Sequence, residues 1–190
     1  QRNLALIVAQ NVTTRDRADK QQPFNLRVAG EGAQTIGVSG QVYDIAHLQL
    51  FQGDQIRGLG GTTNPRAGRR VLAQLMHEPA AINPPVSGAP PSSVAIAPDG
   101  SVAAFVPARR ALSWQLTSPT GVPTVRERYW ITMQPGEVRV CGSCHGVNNS
   151  NQAGTPPPIN EPEALRRLLT YWKNATVIPT APGGVRILRN

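Results

Sequence analysis

The chain has 190 residues, 39% hydrophobic, 16% charged and 5% aromatic, with a formal charge of +8 at pH 7. That is the length of one domain with its own core, and no apolar run approaches the roughly 20 residues a membrane-spanning helix needs. Eighteen Gly and 18 Pro favour short strands joined by turns over a helical bundle, and the scattered basic residues, with no interleaved aromatic platform, argue against nucleic acid.

Leu4 to Gln10 reads as a buried strand, preceded only by Gln1-Arg2-Asn3, as in a processed chain or a fragment of a longer one. Residues 11–23 read as a polar loop, with short strands at Phe24–Val28 and Thr35–Val38 between glycines. Gln41–Phe51 is the long strand of the first half, and Gly-rich 53–68 reads as a mobile loop. Arg69–Met76 suits a helix or a strand equally, and Pro79–Ser93 reads as a surface excursion.

Val94–Ala97 and Ser101–Val106, around Pro98-Asp99-Gly100, predict one hairpin. Ala111–Leu116 and Thr124–Met133, around Ser118–Gly121, predict another, with period-two alternation through Val125, Tyr129 and Ile131. Pro135-Gly136 turns the chain into Glu137–Val140. A helix from about Glu161 to Lys173 follows, capped by Asn160, with Leu165, Leu168, Leu169 and Trp172 on one stripe. Val185–Leu188 is a last edge strand. The fold expected is one mainly β domain over 1–190: an antiparallel β-sandwich with a short helix within the segment 135–150 and one C-terminal α-helix.

Both cysteines and one of the three histidines fall in Cys141-Gly142-Ser143-Cys144-His145. C-x-x-C-H is the attachment pattern of haem c. Two thiols on a tight turn add to the vinyl groups of one porphyrin, and the adjacent imidazole reaches the iron. A thioredoxin-like CxxC needs a long helix directly after it, where Gly146 and Asn148-Asn149-Ser150-Asn151 stand. A zinc site needs a second ligand pair, which His47 and His77 do not provide by spacing. A disulfide across so small a loop gains little. For the sixth iron position the order is His77, then His47, then Met76 or Met133, or an open site.

The pieces from Pro98-Asp-Gly-Ser101 through Val106-Pro-Ala108, Leu112–Leu116, Arg126–Trp130 and Pro135-Gly-Glu137 to the C-x-x-C-H resemble a known arrangement. It is similar to the C-terminal cytochrome c domain of hydrazine synthase alpha-subunit-like proteins. The resemblance covers roughly 94–147, with a fainter echo at Ile45–Leu50 and Gly68–Leu72. It implies a β-rich haem domain with Cys141 and Cys144 as attachment points, His145 as proximal ligand, and a second histidine on the iron. It also implies a periplasmic or extracellular location. The chain has one C-x-x-C-H and no propeller, so multi-haem synthesis chemistry is not carried over.

The reading from sequence is a mono-haem c-type cytochrome for electron transfer rather than catalysis. Its basic surface docks acidic redox partners, with Arg126, Arg128 and Arg139 near the propionates. The alternatives are a ligand-binding or catalytic haem with an open distal site, and a structural haem subunit of a larger redox complex or filament.

Overall fold

The computed structural model describes residues 3–15, 25–31, 41–59, 66–77, 82–144, 150–151, 154–178 and 187–188. In chain order the strands are β1 (Leu4–Arg15), β2 (Asn25–Val28), β3 (Val42–Ile45), β4 (His47–Leu59), β5 (Arg66–Leu75), β6 (Ser93–Ala95) and β7 (Val102–Pro107). They continue with β8 (Ala111–Thr117), β9 (Pro123–Arg126), β10 (Ile131–Thr132) and β11 (Val138–Cys144). Helix α1 (Glu163–Thr176) precedes β12 (Val177–Ile178) and β13 (Ile187–Leu188).

Two sheets share the main core. One runs β11-β1-β7; the other runs β10-β8-β4-β5, with β6 on β4 and β9 on β8. Alternation along β1 explains the layering. Ala5, Ile7 and Ala9 enter the core with Val102, Ala104 and Val106 of β7, facing Leu48, Leu50, Leu112 and Leu116 of the larger sheet. Val8 points the other way, where it joins Ala103 of β7 and Ala164 and Leu168 of α1 in a second cluster. Each fully buried leucine of this kind stabilises the fold by about 1.5–3 kcal/mol. The order of layers is therefore large sheet, small sheet, helix.

The fold is mainly β, as expected, but several elements differ from the sequence reading. Residues 53–68 are no loop throughout: β4 runs to Leu59 and pairs with β5 from Phe51↔Leu75 to Leu59↔Arg66. The ladder satisfies the backbone of a stretch whose glycines suggested a break. It also settles 69–75 as strand. The Pro98–Gly100 turn forms, with Gly100 N–H donating to the Ala97 carbonyl. Its flanking strands do not pair with each other, since β6 joins β4 and β7 joins β1. The β8–β9 hairpin is present, but the long strand after it is broken at Glu127–Trp130. There the Glu127 carboxylate accepts the N–H groups of Arg128 and Tyr129. Two pairings are parallel rather than antiparallel, β1 with β11 and β2 with β3. Thr35–Val38 lies outside the described residues.

The helix is capped in an unexpected way. Its first N–H groups are not taken by Asn160: Glu163 N–H donates to Asp99 Oδ2 at 2.9 Å, and Ala164 N–H to Ser101 Oγ at 3.0 Å. The turn between β6 and β7 thus caps a helix more than sixty residues later. Burial pushes the Asp99 carboxyl up. The hydrogen bonds from Ser101 and from Glu163 N–H outweigh that and leave it below its ordinary value. Asp99→Ala is expected to cost about 1–2 kcal/mol at neutral pH. Because the folded-state value is depressed, the contribution is present above the ordinary carboxylate range and is lost as pH falls through it. Chemical denaturation at pH 7 and at low pH checks this; equal differences between variant and wild type at both would contradict it.

Candidate functional site

The segment leading to the cysteines is held by the Pro135-Gly136 turn. Gly136 has φ of +79°, and its N–H donates to the Leu4 carbonyl. The Glu137 carboxylate accepts Gln134 N–H at 2.8 Å and the Arg139 guanidinium at 2.5 Å, and both hold it below its ordinary value. Leu6 N–H donates to the Glu137 carbonyl, which starts β11 parallel to β1. The register is Leu6↔Val138, Val8↔Val140, Ala9↔Cys141 and Asn11↔Ser143, and it shifts before Arg15↔Cys144.

Cys141 therefore sits on an extended strand. Over 138–144 the chain is strand where a short helix was expected at the cysteines, because pairing with β1 keeps it extended. The Cys141 side chain packs against the main core and forms no disulfide. Val138 and Val140, on the opposite face, are more than half exposed. Burial pushes the Cys141 thiol up, offset in part by the charge of Arg139. A thiol raised in the folded state contributes stability below its ordinary value that is lost as pH rises above it. Folded apoprotein is expected to react with iodoacetamide at Cys141 more slowly than unfolded chain at pH 8, since the thiolate is the nucleophile. Peptide mass mapping of timed reactions reads this; equal rates would refute it. His145 lies outside the described residues.

The histidines chosen for the distal position are not brought beside Cys141. His77 is exposed at a cleft of 400 Å³ lined by Leu4, Gln52, Asp54, Ile82, Pro107 and Arg110. Its Nε2 lies 3.8 Å from Asp54 Oδ2, and Arg110 lies 3.9 Å from Asp54 Oδ1. The buried Gln52 donates to Asp54 at 3.1 Å and accepts His77 N–H at 3.3 Å. Leu4 and Ala9 are five residues apart on β1, so this cleft is displaced by about 17 Å along the strand from the rung that holds Cys141. Nothing in the sequence pointed to Asp54 and Arg110 as neighbours of His77, since they come from separate strands and a turn.

His47 is buried, and its Nδ1 lies 3.3 Å from Thr117 Oγ1. Leu48 and Leu50 face the core, so His47 and Gln49 occupy the outer face of the large sheet. The sheet itself separates His47 from Cys141. Burial pushes the imidazole down, with a partial counter-effect from the Ser118 backbone. Arg126 is on that outer face too, donating to Gln115, which donates to Gln49. Met76 and Met133 are buried in the same core on which Cys141 packs. The Met133 carbonyl accepts Arg109 N–H, just past the end of β7.

Residues 92–146 match the model of the hydrazine synthase alpha subunit middle domain. That span runs from just before β6 through both cysteines and His145. It is the middle domain that matches, where the sequence reading named the C-terminal cytochrome c domain. No curated protein matches the chain. Among solved structures the chain is similar to Kuenenia stuttgartiensis hydrazine synthase, with 14% identity and a TM-score of 0.46 over 87% of this chain. The chain spans 20% of the length of that one. Among the described residues no helix is long and apolar enough to cross a membrane.

Proposed function

We propose that the chain is a β-rich haem c domain of a larger redox assembly that transfers electrons, with Cys141 and Cys144 as attachment points and His145 as proximal ligand. The observation that carries this reading is the complete Cys-x-x-Cys-His sequence at the end of β11, inside the span similar to a hydrazine synthase domain. The donor set fits the group: Cys141 is not tied up in a disulfide, Cys144 follows three residues on, and an imidazole comes next. Haem c, when bound, supplies an iron that cycles between ferric and ferrous. Three residues of extended strand span about 10 Å. Presenting both thiols to one porphyrin thus requires the chain to turn within Gly142–Ser143, where a glycine removes one Cβ barrier. Arg139, on the same strand and beside Glu137, supplies positive charge near Cys141. The scattered basic surface suits weak, salt-sensitive docking of acidic redox partners. Covalent haem attachment goes with a periplasmic or extracellular location.

A second reading is favoured by the placement of the histidines. Neither His77 nor His47 faces Cys141, which speaks against a second histidine on the iron; with its distal side open, the haem would bind a small exogenous ligand.

The test is expression in a host that attaches haem c, followed by a pyridine haemochrome spectrum and intact mass. Covalent haem is expected in wild type and absent after Cys141→Ala with Cys144→Ala. A wild-type protein without covalent haem would end the proposal. His77→Ala and His47→Ala are each expected to leave the oxidised and reduced spectra unchanged. Loss of low-spin bands in either variant would restore that histidine as the sixth ligand. Band shifts with carbon monoxide or cyanide would favour the second reading over simple electron transfer.

A further inference from the structure

The Pro- and Ala-rich stretch before β6 has no role in the reading above, yet it builds a wall. Pro84, Pro85 and Val86 line a cavity of 280 Å³ together with Ala164, Arg167 and Leu168 of α1. The rest of the lining is Val94 and Ala95 of β6, Ala97 just past it, and Ala103 of β7. Here four alanines converge on a cleft open to solvent on one side, and their small side chains leave room in it. The wall is itself fixed. Asn83 is buried and its amide is bonded in both directions to the backbone of Phe105, so the following prolines are held against the domain.

Charge decides what could enter. Arg167 is the one charged lining residue, and it is paired with Glu163 one turn earlier. The lining thus offers no unpaired positive charge to an anion, and its apolar residues give no reward to a free cation. The volume corresponds to about nine water-sized groups at ~30 Å³ each, which suits a molecule of about ten non-hydrogen atoms.

We propose that this cavity is a binding site for a small, neutral, predominantly apolar molecule, seated between α1 and the 84–87 wall. The site is independent of the cysteines and of the haem reading. The polar end of the ligand meets Ser87 and Arg167, the polar side chains of the lining.

The experiment uses octan-1-ol as the probe and octanoate as its charged counterpart, followed by methyl NMR on the full chain. Saturable shifts confined to the methyls of Ala95, Ala103, Ala164, Leu168 and Val94 are expected with octan-1-ol, with at least about tenfold weaker binding of octanoate. Ala103→Leu fills the cavity and is expected to abolish the shifts. Because that side chain is buried, Ala95→Leu at the exposed end of β6 is the second variant, and it is expected to weaken binding without unfolding the chain. No saturable shift in wild type overturns the proposal. So does octan-1-ol binding that is unchanged in a folded Ala95→Leu protein. Equal or tighter binding of octanoate overturns the assignment to neutral ligands.

Discussion

Gly100→Ala is expected to lower stability by about 3 kcal/mol, several small terms acting together at one turn. Gly100 has φ of +81°, where an L side chain is strained by about 1–2 kcal/mol. A Cβ there would stand 2.5 Å from Asn11 Oδ1 and 2.9 Å from Asn11 Cγ. Asn11 cannot move away freely, because its Oδ1 accepts both the N–H and the hydroxyl of Thr13. Gly100 itself accepts Val12 N–H, so the clash falls where the Pro98–Ser101 turn is tied to β1. The neighbours Asp99 and Ser101 cap α1, and a displaced turn would also loosen the helix. For a chain of this length the melting temperature should fall by ~6–12 °C. Differential scanning calorimetry measures it. A transition at the wild-type temperature would mean that Asn11 relaxes and that the turn is not the joint described above.

Asn83→Ala should be nearly as severe. Asn83 is 1% exposed. Its Nδ2 donates to the Phe105 carbonyl and its Oδ1 accepts Phe105 N–H, each at 2.8 Å. One side chain thus does for the outer edge of β7 what a further strand would do. Removing it leaves a buried donor and a buried acceptor unpaired, at about 1–3 kcal/mol each unless water enters. Phe105 also packs against Trp172 of α1, ring centroids 5.4 Å apart. The loss should therefore appear as faster hydrogen exchange at Phe105 and along α1, beyond a lower denaturant midpoint. Asn83→Asp, protonated at low pH, offers one O–H donor and one carbonyl acceptor in place of the amide, and should sit between wild type and alanine there. Unchanged exchange at Phe105 in the alanine variant would remove the clamp from the account of the fold. Since Pro84 to Val86 wall the apolar cavity, octan-1-ol binding should weaken in parallel.

The short-range features were legible because their causes are local. A continuous apolar run marked β1, Pro98-Asp99-Gly100 and Pro135-Gly136 marked turns, and the leucine stripe marked α1 within three residues at either end. The β8–β9 hairpin followed from its turn residues. Failures came where partners are distant. Glycines in 53–68 suggested a loop, yet backbone pairing with β5 overrides a weak local preference. Asn160 offered a good local cap, but Asp99 and Ser101 arrive from the sheet and take the helix N–H groups first.

The candidate site divides in the same way. Cys141, Cys144 and His145 are adjacent in the chain, so spacing alone identifies them as a set. Which other groups share their surroundings is a long-range matter. Of the two histidines ranked for the distal position, His77 lies at the far end of a strand and His47 behind a sheet. Composition, turn chemistry and the single motif thus determined a mainly β chain and the chemistry its cysteines point to. Only tertiary structure decided that β11 runs parallel to β1 with Cys141 turned into the core, and that the Pro-rich stretch walls a cavity. Those outcomes depend on contacts between residues scores of positions apart, whose pairing no local periodicity encodes.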